Sequence, residues 1–278
     1  MTNNSRTETI KQIEELIKQW EFVKNSSEKE ILIWETKALK TIFPHRFDDL
    51  NIITNDMVEI LNKNDKFWCP GSDDPNYNLF FSKTKFNSFM DYFTRELSLE
   101  KKLSILEKTS NYSMAIPNEC YIESLGEMKE VNKIISLKKP CEDVKNSMSK
   151  IGIYIENYSF INQKLLLTFY HRIHSPINGI IERIIPYPKE EKIFGENTLW
   201  ILDINTLSKG HIYFMLIGES EIQDFHFKIK EGQEIKTFDE IGNFNWGSQT
   251  VLFYDHNKFD YKTKIQSGKH FFAGDKII

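Results

Sequence analysis

The stretch that decides the fold is Gly242-Asn-Phe-Asn-Trp-Gly247-Ser248-Gln-Thr-Val-Leu-Phe-Tyr-Asp255. Its second half, residues 250–254, combines β-branched and aromatic residues, which are typical of a buried strand. The dipeptide Gly247-Ser248 comes just before that strand and provides a small, flexible entry to it. Taken alone, the dipeptide predicts only a glycine bulge before a core strand, because short motifs are weak evidence by themselves.

Short apolar segments separated by Gly, Pro, Asn and Lys clusters fill the chain from about Met114 onward. This pattern is typical of strands joined by turns. The predicted strands are 121–122, 151–155, 164–169, 179–185, 198–204, 210–217, 225–229 and 251–254. Because no long helix separates them, they indicate an α+β fold with a mostly antiparallel β core of barrel-like or carrier-like strands.

The first 65 residues have a different pattern, in which apolar residues recur at helical spacing. Helices are predicted over residues 9–24, after the capping box 27–30, and from about residue 57. We therefore expect an N-terminal helical cap over residues 1–65 and a second domain over residues 66–278. Another helix is predicted over residues 86–97, where aromatic residues recur at the same spacing.

Composition and charge exclude several classes of protein. The 278 residues carry a net charge of -4 with mixed signs, so a nucleic-acid partner is not expected. Cys69, Cys120 and Cys141 are odd in number and widely spaced, which predicts free thiols in a reducing compartment. With no bilayer-length apolar run and no signal-peptide pattern, the expected location is cytoplasmic, with at most peripheral membrane contact.

A second motif, Tyr170-His171-Arg-Ile-His174-Ser-Pro176, follows a predicted strand. Two histidines three residues apart are a possible metal pair, but no cysteine or carboxylate nearby completes a ligand set, so no metal is expected. On the residues alone, two polar loop histidines are the simpler interpretation. Imidazoles also suit acid–base chemistry because their ordinary pKa lies near neutral pH.

Together these segments resemble the phosphatidylserine decarboxylase family over roughly residues 83–278. The run 242–255 is similar to the family's self-cleavage segment, in which Gly-Ser precedes an apolar strand ending in an acid. The histidine motif is similar to the family's Tyr-His-Arg-x-His-x-Pro, and residues 86–97 resemble its aromatic helix ending in Thr-Arg. The chain departs from the family pattern at Trp246, at Gln249 in place of Thr or Ser, and at Lys101-Lys102 in place of Arg-Pro.

The resemblance implies a self-processing site. Cleavage between Gly247 and Ser248 would convert Ser248 into a covalent pyruvoyl cofactor. By the same correspondence, His174 is the base that activates the serine, and His171 lies at the substrate site or donates a proton. Glu119, which stands where the family usually has Asp, is the acid that orients His174.

The activity implied by the resemblance is that of a carboxy-lyase acting through a Schiff base on an amino-acid-type substrate. That substrate is either phosphatidylserine, giving phosphatidylethanolamine, or a free L-amino acid, giving an amine. The absence of a membrane anchor, the stretch 74–78 and the short connection 185–197 favour a soluble amino acid. The resemblance also suggests a homodimer. The alternative from another class is an inactive family member that serves as a binding or scaffold protein.

Overall fold

The computed structural model describes most of the chain from residue 77 onward. The described ranges are 77–83, 85–129, 133–134, 139–165, 169–186, 199–218, 225–244, 248–259 and 265–278, with residue 62 and several positions between 8 and 19. Those positions between 8 and 19 are helical, but most of the predicted helical cap lies outside the described residues. The domain boundary at residue 65 therefore stays a prediction.

The chain divides into two compact units. The first contains residues 1–102 together with 166–170, and the second contains residues 103–165 and 171–278. In the first unit, helix α1 (Phe89–Phe93) is shorter than the helix predicted over residues 86–97. It begins after Ser88, whose hydroxyl accepts the Asp91 N–H, and ends at Thr94, whose hydroxyl donates to the Met90 carbonyl. These caps satisfy the end groups of a one-turn helix.

Helix α2 (Leu99–Thr109) follows α1, and helix α3 (Cys141–Lys150) lies within the second unit. The strands of the second unit are β1 (Cys120–Glu127), β2 (Lys133–Ile134), β3 (Lys139–Pro140), β4 (Tyr158–Leu165), β5 (Arg172–His174), β6 (Gly179–Pro186), β7 (Leu199–Asn205), β8 (His211–Gly218), β9 (Phe225–Phe227), β10 (Glu234–Ile235), β11 (Glu240–Phe244), β12 (Ser248–Asp255) and β13 (His270–Phe271).

These strands form one large antiparallel sheet and two small ones. The eight-stranded sheet has the order β10-β6-β7-β8-β12-β4-β1-β13, a second sheet has the order β5-β11-β9, and β2 pairs with β3. The predicted α+β class with a mostly antiparallel core is confirmed. Strand β12 lies between β4 and β8 in the large sheet, so the segment that opens at Ser248 is central to the fold.

The main apolar core covers one face of the large sheet. Alternate positions of β4, β7, β8 and β12 share a face, and on this face they pack against α3. The residues involved include Val144, Met148, Phe160, Ile201, Met215, Val251 and Phe253. Burying each such side chain contributes about 2 kcal/mol. Thr250 occupies the opposite face of β12, because it alternates with Val251.

The prediction of a strand over residues 151–155 was wrong. Gly152 adopts φ of +77° after α3, and the N–H groups of Gly152 and Ile153 donate to the carbonyls of Ser149 and Met148. This segment therefore terminates the helix and cannot pair as a strand. Its apolar side chains Ile153 and Ile155 are nevertheless fully buried in the core, which is why the sequence pattern resembled a strand.

The strand predicted over residues 164–169 overlaps β4 (Tyr158–Leu165) at its first two residues, and its residues 166–168 lie outside the described ones. Within the described part of the chain, no helix has both the length and the apolar character that a bilayer crossing requires.

Candidate active site

The small sheet brings the histidine motif towards the Gly-Ser junction. Strand β5 carries the motif and pairs with β11, with His174 opposite Glu240 and Arg172 opposite Asn243. Strand β11 then leads through residues 245–247 into β12 at Ser248. Gly247 and the side chain of Ser248 lie outside the described residues.

A second segment, residues 115–119, lies along the histidine motif. The Ala115 N–H donates to the Pro176 carbonyl at 2.8 Å, and the His174 N–H donates to the Pro117 carbonyl at 2.8 Å. These two bonds fix the backbone of the predicted acid, Glu119, beside the predicted base.

The segment 115–119 also contacts β12. The Thr250 hydroxyl lies 3.2 Å from Asn118 Oδ1 and 3.3 Å from Gln163 Oε1, and all three side chains are fully buried. Because alternate strand positions share a face, position 248 lies on the same side of β12 as Thr250. The structure thus links three segments that are far apart in sequence: strand β12 at Thr250, two residues after Ser248, the histidine motif and the Glu119 segment.

The His174 imidazole is held on two sides by Phe238. Its Nδ1 lies 2.9 Å from the Phe238 carbonyl oxygen, and the two rings are stacked with centroids 4.0 Å apart and planes 4° apart. Since a carbonyl oxygen only accepts, Nδ1 carries a proton, and in the neutral ring the lone pair therefore lies on Nε2. This is the tautomer that a general base acting through Nε2 requires.

Phe238 itself has an uncommon backbone conformation. Its φ is +75°, a left-handed value that costs a residue with a side chain about 1 kcal/mol. The Asp239 N–H closes the turn by donating to the Lys236 carbonyl. The turn is tied to Ser175 by two bonds, the Phe238 N–H donating to the Ser175 carbonyl and the Ser175 N–H donating to the Asp239 carbonyl. Phe238 cannot be recognised from the sequence, because a backbone carbonyl that contacts a distant histidine leaves no local pattern.

Glu119 is completely buried, and its carboxylate lies close to a histidine that the sequence analysis also missed. Its Oε1 lies 2.9 Å from His270 Nε2, and His270 is 19% exposed. The family resemblance predicts that Glu119 orients His174. In the structure, Glu119 is hydrogen-bonded to His270, and His174 is hydrogen-bonded to Phe238. The orienting role of Glu119 towards His174 stays a prediction.

The other residues of the histidine motif are also buried. His171 is fully buried, and its carbonyl accepts the Phe244 N–H at 3.4 Å. Arg172 pairs with Glu240 at 2.6 Å, and Lys228 lies 2.8 Å from the same carboxylate oxygen. Burial raises the pKa of Glu240, but the hydrogen bond from Lys228 and the charge of Arg172 outweigh it, so the pKa lies below its ordinary value.

Comparison with known proteins decides the family. The sequence profile of the family phosphatidylserine decarboxylase matches residues 89–278, which is more than half of the chain. The chain belongs to the phosphatidylserine decarboxylase family. The family consists of pyruvoyl-dependent carboxy-lyases, and the resemblance inferred from the motifs is confirmed.

Several curated relatives share the family name. The phosphatidylserine decarboxylase proenzyme of Clostridium tetani is 26% identical over 234 residues, 73% of this chain and 75% of that protein. The proenzyme of Geobacillus kaustophilus is 24% identical over 181 residues, covering 60% and 67%. Proenzyme 2 of Komagataella phaffii is 30% identical over 101 residues, covering 32% of this chain and only 10% of that relative. This chain therefore spans a small part of some relatives and about three quarters of another.

Within the phosphatidylserine decarboxylase family pattern, Gln249 is a departure that the structure accommodates. Gln249 Nε2 donates to Asn162 Oδ1 at 2.6 Å, and Asn162 Nδ2 lies 3.3 Å from Ser124 Oγ. The amide of Gln249 is thus held within a partly buried polar network on β4 and β1. It occupies the face of β12 opposite to Thr250.

Among the described residues, one group of side chains has a spacing that suits a metal ion, namely Glu182, Asp203 and His211. This group does not include the two histidines of the family motif. Asp203 Oδ2 already lies 2.7 Å from Arg183 Nη2, so the guanidinium compensates its charge.

Proposed function

We propose that this chain is a self-cleaving phosphatidylserine decarboxylase that processes the bond between Gly247 and Ser248. Family membership supports the reaction class. The observation that supports the proposal is the setting of His174, a buried imidazole whose Nδ1 donates to the Phe238 carbonyl. Its backbone N–H donates to the Pro117 carbonyl, and the next residue, Asn118, contacts Thr250 of β12.

In the proposed cleavage, His174 Nε2 takes the proton of the Ser248 hydroxyl, and Oγ attacks the Gly247 carbonyl carbon. The C–N bond then breaks, the amide nitrogen takes the proton, and an ester joins Gly247 to the Ser248 side chain. Loss of the Ser248 α-proton with cleavage of the Cβ–O bond releases the Gly247 carboxylate. Water replaces the nitrogen of the resulting dehydroalanine, ammonia leaves, and residue 248 becomes a pyruvoyl group.

Glu119 supports this sequence as the buried acid of the site. In this proposal the negative charge of Glu119 stabilises the imidazolium that forms at His174, and such stabilisation is a large contribution in water-excluded sites. The backbone bond between His174 and Pro117 keeps the Glu119 segment beside the base. Glu119 therefore assists His174 even though its carboxylate is hydrogen-bonded to His270.

A buried hydrogen-bond donor lies opposite Thr250, two residues after Ser248. Gln163 is fully buried on the Thr250 side of the sheet, and its Nε2 has no hydrogen-bond partner among the residues that the structure describes. Such a donor suits a carbonyl or carboxylate oxygen. The pyruvoyl carbonyl supplies an electrophile for a substrate amine and accepts the electrons released when CO2 leaves. His171 is the residue that contacts the substrate or returns the proton.

Phosphatidylserine is the proposed substrate because the relatives are named phosphatidylserine decarboxylase proenzymes. A free L-amino acid is the second candidate, on the sequence features at 74–78 and 185–197. A homodimer, as the family resemblance suggests, is part of the same proposal. An uncleaved scaffold protein is the rival interpretation.

The test is the intact mass of purified protein under denaturing conditions, beside the Ser248→Ala variant. Wild type should give fragments 1–247 and 248–278 with a pyruvoyl end, and the variant should stay whole. Cleaved protein is then assayed for CO2 release from phosphatidylserine vesicles and from free amino acids. If wild type stays uncut over prolonged incubation at varied pH, the scaffold interpretation replaces this one.

A further inference from the structure

We propose that His270 is a positioning residue for self-cleavage, because its Nε2–H holds the carboxylate of Glu119 in place. The inference rests on the proposed function, since self-cleavage is the reaction whose rate it affects. No part of the family motifs contains His270, which lies near the end of the printed sequence.

Glu119 is a buried acid. Its residue has 0% exposure, and a carboxylate removed from water is strongly unfavourable unless it is paired and hydrogen-bonded. His270 Nε2 lies 2.9 Å from Glu119 Oε1, within the range of a charge-assisted hydrogen bond. Replacing His270 by an apolar residue removes this partner from the carboxylate.

The Glu119 side chain is also long for an acid that has to keep one orientation. The family usually has an aspartate at this position. Glutamate has one methylene more than aspartate and therefore one more rotatable bond. Holding it in a single rotamer costs free energy. A fixed donor at its carboxylate compensates that cost and restricts the acid to one orientation.

His270 is carried by a strand that is hydrogen-bonded to β1. Strand β13 pairs with β1, with His270 opposite Tyr121. The Ile122 N–H donates to the Lys269 carbonyl at 3.0 Å, and the Gly268 N–H donates to the Ile122 carbonyl at 2.8 Å. The His270 ring also packs edge-on against Tyr121, with centroids 5.6 Å apart. His270 is thus placed by a strand pair and an aromatic contact.

The position of this bond in the chain has a consequence for cleavage. Glu119 precedes the Gly247–Ser248 bond in sequence and His270 follows it. The acid in the larger fragment is therefore held by a side chain of the smaller one. A residue that follows the cleavage point therefore helps to position the acid that assists cleavage of the Gly247–Ser248 bond.

The experiment compares His270→Leu with His270→Gln in the full chain, following fragments 1–247 and 248–278 by intact mass over time. Leucine fills the space without a donor and should slow cleavage about tenfold or more, since small displacements of catalytic groups cost that much. Glutamine keeps an N–H donor at a similar reach and should restore most of the rate. This rescue separates positioning from a merely structural effect.

The matched control is His211→Gln. His211 Nδ1 lies 2.6 Å from Asp203 Oδ1, so it is also half of a histidine–carboxylate pair, but on β8 and β7. The His211→Gln variant should cleave itself at the wild-type rate. If His270→Leu cleaves at the wild-type rate, this inference is overturned while the proposed function stands. The same holds if His270→Gln cleaves no faster than His270→Leu and has an unchanged melting temperature. If wild type and the His211 control both stay uncut, the proposed function has failed and this inference with it.

Discussion

At the scale of single residues, the proposed base, His174, is oriented by a backbone carbonyl. Phe238 contributes that carbonyl to His174 and stacks its ring on the imidazole, while its own φ is +75°. A left-handed residue with a bulky side chain persists only where its surroundings enforce it. The ring contact with His174 is one such constraint, so the strained turn and the orientation of the base depend on each other.

We therefore predict distinct effects for Phe238→Gly and Phe238→Ala. Both remove the stacked ring, so both should slow self-cleavage and lower the free energy of unfolding, alanine by about 3 kcal/mol or more. Glycine adopts positive φ without strain and should be more stable than alanine by about 1 kcal/mol. Urea unfolding in a Ser248→Ala background, with cleavage rates in the native background, measures both effects. Equal stability of the two variants would contradict the strain at this position.

A second residue-scale prediction concerns Glu240, whose pKa is lowered in the folded protein by Lys228 and Arg172 against the opposing effect of burial. A lowered folded pKa contributes stability that is fully present above the unfolded value and is lost as pH falls through the folded value. The stability difference between wild type and Glu240→Gln should thus be largest near neutral pH and shrink below about pH 4.5. Thermal unfolding across pH, with the exposed Glu234→Gln as control, measures it. A difference independent of pH would show that the charge of Glu240 is not the cause.

At the scale of elements, the sequence predicted what depends on local pattern. Strands such as β6, β7 and β8 were found within a residue or two because apolar runs bounded by turn residues mark them. Helix α3 was missed and residues 151–155 were assigned to a strand, because a buried apolar segment looks the same in sequence whether it caps a helix or pairs. Helix α1 was predicted too long, since the apolar spacing continues to Leu97, past the cap that ends the helix.

The candidate site was predictable only where a motif marked it. Gly247-Ser248 and the pair His171 and His174 were found from their neighbours in sequence. Phe238 and His270 were not, because they reach the site through a backbone carbonyl and a strand pairing between residues more than 60 positions apart. Such contacts depend on the fold, and they leave no local pattern in the chain.

At the scale of the whole molecule, the proposed cut falls at the start of a central strand. All eight residues of β12, from Ser248 to Asp255, pair with β4, and seven of them also pair with β8. Farther along, the Ile116 N–H donates to the Asp275 carbonyl and the Ile277 N–H donates to the Met114 carbonyl. The segment after the proposed cleavage point is therefore hydrogen-bonded to the rest of the second unit at two separate places.

The last prediction follows from this arrangement. After cleavage, the fragment 248–278 should stay bound to 1–247, because strand hydrogen bonds on both edges of β12 and the buried side chains of Val251, Leu252 and Phe253 do not depend on the broken peptide bond. Cleaved wild type and uncut Ser248→Ala should have the same native mass in size-exclusion chromatography with light scattering. The fragments should separate only in denaturant, at a concentration close to the one that unfolds the protein. A peptide of residues 248–278 that elutes alone from native protein would mean that β12 does not hold the two products together.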